Sequence, residues 1–184
     1  MNKILLAGLL LAALTGCKDE RETGVKPTNV IDVSAVADPN SFAQPEKVRI
    51  EHIDLDLGVD MDARVLRGSA LYRLQWLDER ASELVLDTRG IDIRTVQGLD
   101  GKKWRDLKFK LDDEDAMYGS ALRITMKQQL PQVRINYATR PEASGLQWLT
   151  PEMTASGQPF MFSQSQAIHA RSWVPLQDTP GVRF

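Results

Sequence analysis

From residue 48 onward, apolar and polar side chains alternate with a period of two, in short runs bounded by Gly, Pro and Asp. Such alternation marks strands that turn one face to a core and the other to water. The run 66–77 shows it best: Leu66, Gly68, Ala70, Tyr72, Leu74 and Trp76 share one face, and Arg67, Ser69, Arg73 and Gln75 the other. Over 48–59 the alternation changes phase once, between Ile50 and Ile53, which predicts a bulge that re-aims the strand. Shorter strands are expected at 83–87 and 91–99, followed by Asp100 and Gly101 as a tight hairpin turn. A return strand over 102–111 should follow, with Leu107, Phe109 and Leu111 alternating with Asp106, Lys108 and Lys110. Leu122, Ile124 and Met126, then Val133, Ile135 and Tyr137, predict two more strands on either side of a break at Leu130 and Pro131. No helical period is visible before Gly145. The expected fold class is all-β, with antiparallel sheets packed face to face over Leu, Ile, Val and aromatic side chains.

The texture differs upstream. Lys3 supplies a positive charge and residues 4–14 form an almost unbroken apolar run that stops at Thr15 and Gly16. A spanning helix needs about 20 apolar residues, so residues 1–16 read as a signal peptide. Leu14, Thr15, Gly16 and Cys17 resemble a bacterial lipobox, in which Cys17 becomes the first mature residue and carries lipid. An ordinary signal peptide with a chance cysteine is the weaker reading. Acyl chains contribute about 0.8 kcal/mol per buried methylene, enough in combination to hold a protein on a membrane. By resemblance to sorted lipoproteins, Lys18 after the cysteine implies the outer membrane, facing the periplasm. Residues 17–46 are rich in Thr, Asn, Ser, Asp and Pro and are expected to form a flexible tether. The folded domain is expected over 47–184.

Composition removes several chemistries. Cys17 is the sole cysteine, so no thiol remains for a disulfide, a thiolate metal site or a nucleophile. A formal charge of −2 with scattered Lys and Arg argues against a nucleic-acid partner. A catalytic zinc needs three protein ligands around an open position, and the two histidines, His52 and His169, both lack the H-E-x-x-H context. The acidic run Asp112, Asp113, Glu114, Asp115 reads as a solvated hairpin tip, because a calcium loop spaces its oxygen ligands.

After Gly145 the alternation gives way to Leu146, Gln147, Trp148, Leu149, Thr150 and Pro151. Further on come Phe162, Ser163, Gln164, Ser165, Gln166, Ala167, Ile168, His169, Ala170 and Arg171. Pro175, Leu176, Gln177, Asp178, Thr179 and Pro180 complete the string. It resembles the leukotriene A(4) hydrolase-like branch of the zinc aminopeptidases. The likeness is carried by residues 145–184 and is compatible with the strand order back to 47. It implies a saddle of antiparallel sheets with one edge lining the substrate cleft. Carried over, Gln164 and Gln166 line the subsite near the substrate's amino terminus, with Gln166 the stronger candidate for a backbone contact. A primary amide both donates and accepts, so it meets a peptide carbonyl or an ammonium without adding charge. The two side chains would share a face only if this piece is extended. His169 and Arg171 belong, by the same resemblance, to the framework behind that edge, hydrogen-bonded to backbone or to acids such as Asp178. Trp148 and Trp173 read as packing residues.

The family's zinc is held by the two histidines of H-E-x-x-H and a later glutamate, none of which lies in this chain. The G-x-M-E-N stretch for the substrate amine is absent too. The chain is therefore expected to bind no metal, to hold no catalytic residue and to be inactive alone. Gly181, Val182, Arg183 and Phe184 look like the opening of another strand, which implies a domain truncated at its carboxyl end. The expected function is the substrate-lining domain of a lipid-anchored zinc metallo-aminopeptidase. Its partners would be peptide amino termini, the missing catalytic domain and, through Cys17, a membrane. A stand-alone envelope module that binds peptides or proteins is the alternative from a different class, and a purely structural lipoprotein a third.

Overall fold

A computed structural model describes residues 38–183; the signal peptide 1–16, Cys17, the tether as far as residue 37, and Phe184 lie outside it. Ten strands, with two short 3-10 helices at Pro151–Met153 and Ala170–Ser172, account for the regular structure of these residues. In chain order they are β1 Val48–Asp60, β2 Val65–Trp76, β3 Glu83–Thr88, β4 Ile91–Asp100, β5 Lys103–Asp106, β6 Lys108–Leu111, β7 Ser120–Thr125, β8 Gln132–Thr139, β9 Leu146–Leu149 and β10 Phe160–Ser163. They form three antiparallel sheets: β1-β2-β8-β4-β5, β3-β7-β6 and β10-β9. The fold is all-β, with open sheets that do not close into a barrel.

Periodicity explains the larger sheet. The face of β2 that carries Ala70, Tyr72 and Leu74 is buried, and the same core takes Val48 and Ile50 from β1, Val96 from β4, and Val133, Ile135 and Tyr137 from β8, while Leu66 packs in a smaller cluster with Ala143 and Leu146. Leu84 and Leu86 of β3 with Leu122 and Ile124 of β7 close it from the smaller sheet. The two sheets thus bury their apolar faces against each other, since a one-sided sheet must hide that face against another element. The expected bulge in β1 is present as a register shift between Ile50 and His52. Gly68 is required where it stands, because a Cβ there would run into the carbonyl of Asp56 on β1.

The expected return strand over 102–111 is two strands. β5 pairs with β4, whereas β6 pairs with β7 in the other sheet, and Leu107 makes the crossing with its N–H donated to Val96 O at 2.8 Å. The side chain of Leu107 packs on the core, but Phe109 and Leu111 remain 38% exposed each. Their alternation is that of a strand without the burial the pattern suggested. The hairpin at Asp100 closes one residue later than expected, with Gly101 and Lys102 as the loop and Asp100 opposite Lys103. In the acidic run, Asp112 pairs with Arg123 at 2.6 Å, and Asp115 Oδ1 accepts the N–H groups of Met117 and Tyr118.

Candidate substrate edge

The strands end in an irregular segment that is locked into place from behind. Gln164 donates its N–H to Gly145 O at 2.8 Å, which fixes the exit of β10 against the entry of β9. The chain then turns, with His169 N–H donated to Ser165 O at 3.0 Å, and passes into a 3-10 helix, Ala170–Ser172. Ser172 Oγ accepts the N–H of Gly145 at 2.8 Å and donates to His169 O at 2.7 Å. Trp173 Nε1 donates to Ser165 Oγ at 3.1 Å. Gly145 fits because a Cβ there would stand 2.6 Å from His169 O and 2.8 Å from the Trp173 ring.

Behind this turn lies a buried ion cluster. Arg171 is fully buried, and its Nε donates to Asp178 Oδ2 at 2.9 Å, its Nη1 to Tyr118 O at 3.0 Å and its Nη2 to Asp178 O at 3.2 Å. Nη1 also stands 3.9 Å from Asp87 Oδ1. Asp87, on β3, is fully buried as well, and accepts from Ser41 Oγ at 2.6 Å, Phe42 N–H at 2.7 Å and Asp178 N–H at 2.9 Å. Burial pushes the Asp87 carboxyl above its ordinary range, an effect that Ser41, Phe42, Arg171 and the Asp178 amide oppose. The backbones follow the same line: Asp87 and Leu176 exchange hydrogen bonds at 2.7 and 3.2 Å, and Arg89 N–H reaches Arg171 O at 2.8 Å. The stretch after the 3-10 helix therefore covers the free edge of β3. Tyr72 Oη fixes it from the other sheet by donating to Pro175 O at 2.7 Å. Gln177, fully buried, accepts from Ile50 N–H at 2.9 Å and donates to Val48 O at 2.7 Å.

Gln164 and Gln166 are both exposed at the front of this assembly, but they are not an extended pair. Gln164 Oε1 accepts the Gln166 N–H at 3.1 Å, so the first glutamine folds over the turn that the second opens. The Gln166–Ala167 peptide bond is cis. Among the described residues the Gln166 side chain has no hydrogen-bond partner, which leaves its amide to solvent. Arg171 meets Asp178, as the framework reading requires. His169 does not reach that acid; its Nδ1 lies 2.9 Å from both Arg89 Nη2 and Ser144 Oγ. Arginine can only donate, so Nδ1 is the acceptor and the ring proton sits on Nε2. Arg89, His169 and Ser144 line a cavity of about 370 Å³ together with Glu114, Arg140 and Glu142. Burial, and then the nearby Arg171 charge, lowers the Arg89 guanidinium from its ordinary value. Trp148 and Trp173 are partly buried packing residues. Cys17 lies outside the described residues.

Asp87, Arg89 and Ser41 were not singled out in the sequence. The signal for Asp87 was an acid following Leu84, Val85 and Leu86 in a strand, where a buried charge demands partners. Among the described residues no group of three or more His, Cys, Asp or Glu could hold a metal ion. The described residues do not fit a zinc centre, and their arrangement offers hydrogen-bond donors and acceptors.

The Peptidase M1 N-terminal domain matches residues 49–183. Leukotriene A-4 hydrolase of Xenopus laevis is 40% identical over 155 residues, which are 81% of this chain and 25% of that protein. Leucine aminopeptidase 2 of Yarrowia lipolytica is 39% identical over 150 residues, 79% of this chain and 22% of its own length. Native leukotriene A4 hydrolase from Saccharomyces cerevisiae superposes with a TM-score of 0.73 at 32% identity, over 79% of this chain and 23% of that one. The chain spans about a quarter of the length of the curated relatives it matches.

Two outcomes follow from the ion cluster. Arg171→Met leaves the buried Asp87 and the half-buried Asp178 without their cation and should destabilise the domain by about 3–5 kcal/mol in urea unfolding. Arg67→Met, at an exposed pair 3.6 Å from Asp60, should cost less than about 1 kcal/mol. The pH dependence has a definite sign. A carboxyl raised on folding keeps its proton in the native state where the unfolded chain has lost it, so its contribution is present below the ordinary carboxylate range and fades as pH rises through the folded value. The stability gap between the native chain and Asp87→Asn should therefore narrow as pH rises through that window. A gap that widens would contradict the raised carboxyl.

Proposed function

We propose, for a chain that belongs to the Peptidase M1 N-terminal domain family, that it is the substrate-lining part of a zinc metallo-aminopeptidase that removes amino-terminal residues from peptides. The observation that carries the reading is the Gln166 side chain: an exposed amide, free of protein partners among the described residues, on a turn whose backbone is pinned from Ser165 to Ser172. Such an amide offers both a donor and an acceptor from a backbone that is held in place. It can meet the first peptide carbonyl through its N–H or the terminal ammonium through its oxygen. Hydrolysis is assigned to a zinc domain outside residues 38–183, and no chemical step is placed on this chain.

The surface beside Gln164 supports an edge completed by a neighbouring domain. Met153, Phe160 and Phe162 lie on the β9–β10 hairpin or its connection and are 64%, 53% and 42% exposed. The two phenyl rings stand 6.4 Å apart. Clustered exposed apolar side chains mark surfaces that meet a partner, and this hairpin leads directly into the glutamines.

The attachment to a membrane is proposed on the sequence alone. Lipid on Cys17 would place the enzyme in the cell envelope, at the outer membrane and facing the periplasm. No helix among the described residues is long and apolar enough to cross a membrane.

The test measures zinc content and leucine p-nitroanilide hydrolysis in the 184-residue chain and in a longer chain that carries an H-E-x-x-H domain after it. Zinc and turnover confined to the longer chain support the division of labour, and turnover by the short chain overturns it. Binding of tri-alanine by the short chain, with no activity in either, would make it a stand-alone peptide module. In the active chain, Gln166→Ala should lower kcat/KM several-fold with zinc content unchanged, since one uncharged hydrogen bond is worth about 0.5–1.5 kcal/mol. Unaltered kinetics would remove Gln166 from the site. Cys17→Ser should abolish lipid attachment, read as the loss of the acyl mass from the mature protein, and persistent acylation would refute the lipobox.

A further inference from the structure

The residues just before β1 were expected as the end of a flexible tether, yet their polar groups converge on one buried carboxylate. Ser41 Oγ donates to Asp87 Oδ2 at 2.6 Å, and Phe42 N–H donates to Asp87 Oδ1 at 2.7 Å. The donors are preset by a local turn. Ser41 N–H bonds to Asp38 O at 3.2 Å, Asn40 N–H to Asp38 Oδ1 at 2.9 Å and Ala43 N–H to Ser41 Oγ at 3.1 Å. The same carboxylate holds the segment behind Gln166, through Asp178 N–H on Oδ2 at 2.9 Å and Arg171 Nη1 3.9 Å from Oδ1. One acid thus joins the chain upstream of β1 to the framework of the substrate edge. The two also face each other across a cleft of about 390 Å³, lined by Asp38 and Asn40 together with Ala167, Ile168, Asp178 and Pro180. Ala167 is the residue after Gln166.

We infer that Ser41 and Phe42 form a positioning strap: by holding Asp87 they fix Arg171 and Asp178, and with them the turn that presents Gln166 to a peptide amino terminus. The inference rests on the peptide reading of Gln166 given above. A hydroxyl bonded to a carboxylate at 2.6 Å is a short, charge-assisted bond, stronger than a bond between neutral groups. Without it, Asp87 Oδ2 keeps only the Asp178 N–H, and a buried carboxylate short of donors draws in water or moves. Either response displaces its remaining partners, Arg171 and Asp178. The β1–β2 ladder has its own hydrogen bonds and core face, so the loosening is confined to the edge. Ser41 and Phe42 thus act on affinity through Asp87, from a part of the chain outside the strands.

Amide hydrogen exchange, resolved by peptide mass spectrometry, tests the strap on the 184-residue chain itself. Ser41→Ala should speed exchange over 164–172 about tenfold, the scale of one lost hydrogen bond to a charged group, while exchange over 48–60 and 65–76 stays as in the native chain. Ser41→Thr, which keeps the hydroxyl, should restore the native pattern. In parallel, tri-alanine is titrated while the Gln166 side-chain amide is followed by NMR, and its affinity should fall about tenfold in Ser41→Ala and recover in Ser41→Thr. Unchanged exchange at 164–172, or acceleration spread evenly over the whole domain, would overturn the strap. A native chain whose Gln166 amide never responds to tri-alanine would instead overturn the peptide reading, and the exchange measurement would still decide whether Ser41 holds the turn.

Discussion

Everything at the candidate edge depends on a guanidinium that has no access to water. Removing Arg171 from solvent costs several kcal/mol, and attraction to Asp87 and Asp178 repays this only if the remaining donors are also satisfied. They are met by the Asp178 carboxylate and carbonyl and by Tyr118 O, with Asp87 as the second negative charge. A cluster of this kind adds little net stability compared with well-packed apolar residues, but it is strict about geometry. It specifies where the segment after the 3-10 helix lies on β3. A hydrophobic plug would tolerate sliding, whereas a planar fork with fixed donors accepts one arrangement.

The same logic governs the other side of that segment, where among the described residues no strand pairs with the edge of β1 that faces away from β2. Gln177 supplies from its side chain what a neighbouring strand would supply from its backbone: one acceptor for Ile50 N–H and one donor for Val48 O. Buried backbone groups must be paired, and here the pairing ties the two ends of the domain together. Tyr72 adds a third tie through Pro175 O. Residues 175–178 are therefore clamped from β1, β2 and β3 at once, and the turn that carries Gln166 has an immobile base.

How much of this was legible in the sequence varied with the range of the interaction. Strand positions were readable, because period-two alternation is local; the β1 bulge and the two faces of β2 were marked by residues a few positions apart. The split between β5 and β6 was not readable. Alternation tells which side chains share a face, not which sheet supplies the partner strand, and Leu107 carries the chain between sheets without breaking the period. The glutamines and the residues from His169 to Pro180 were recognised by their identity and order. Their supports were not: Ser41 meets Asp87 across 46 positions and Gln177 meets Val48 across 129. His169 illustrates the limit, since its role as framework was legible but its partners, Arg89 and Ser144, come from β3's end and the loop before β9.

The folded arrangement also separates two residues that the sequence offered as a pair. Gln164 Oε1 already accepts the Gln166 N–H, so one of its two acceptor positions is engaged within the turn. Gln166 retains both donor and acceptor. On the proposed reading a peptide ammonium needs an acceptor and the first peptide carbonyl a donor, and the Gln166 amide, without a partner among the described residues, offers both. Gln164 is tied to the backbone of the turn, which on the proposed reading leaves Gln166 the freer of the two to reach a peptide. On this view the repetition of glutamine is not duplication of one contact. The first residue sets the backbone from which the second reaches out, and it can do so only because Gly145, Ser172 and Trp173 hold that backbone from behind.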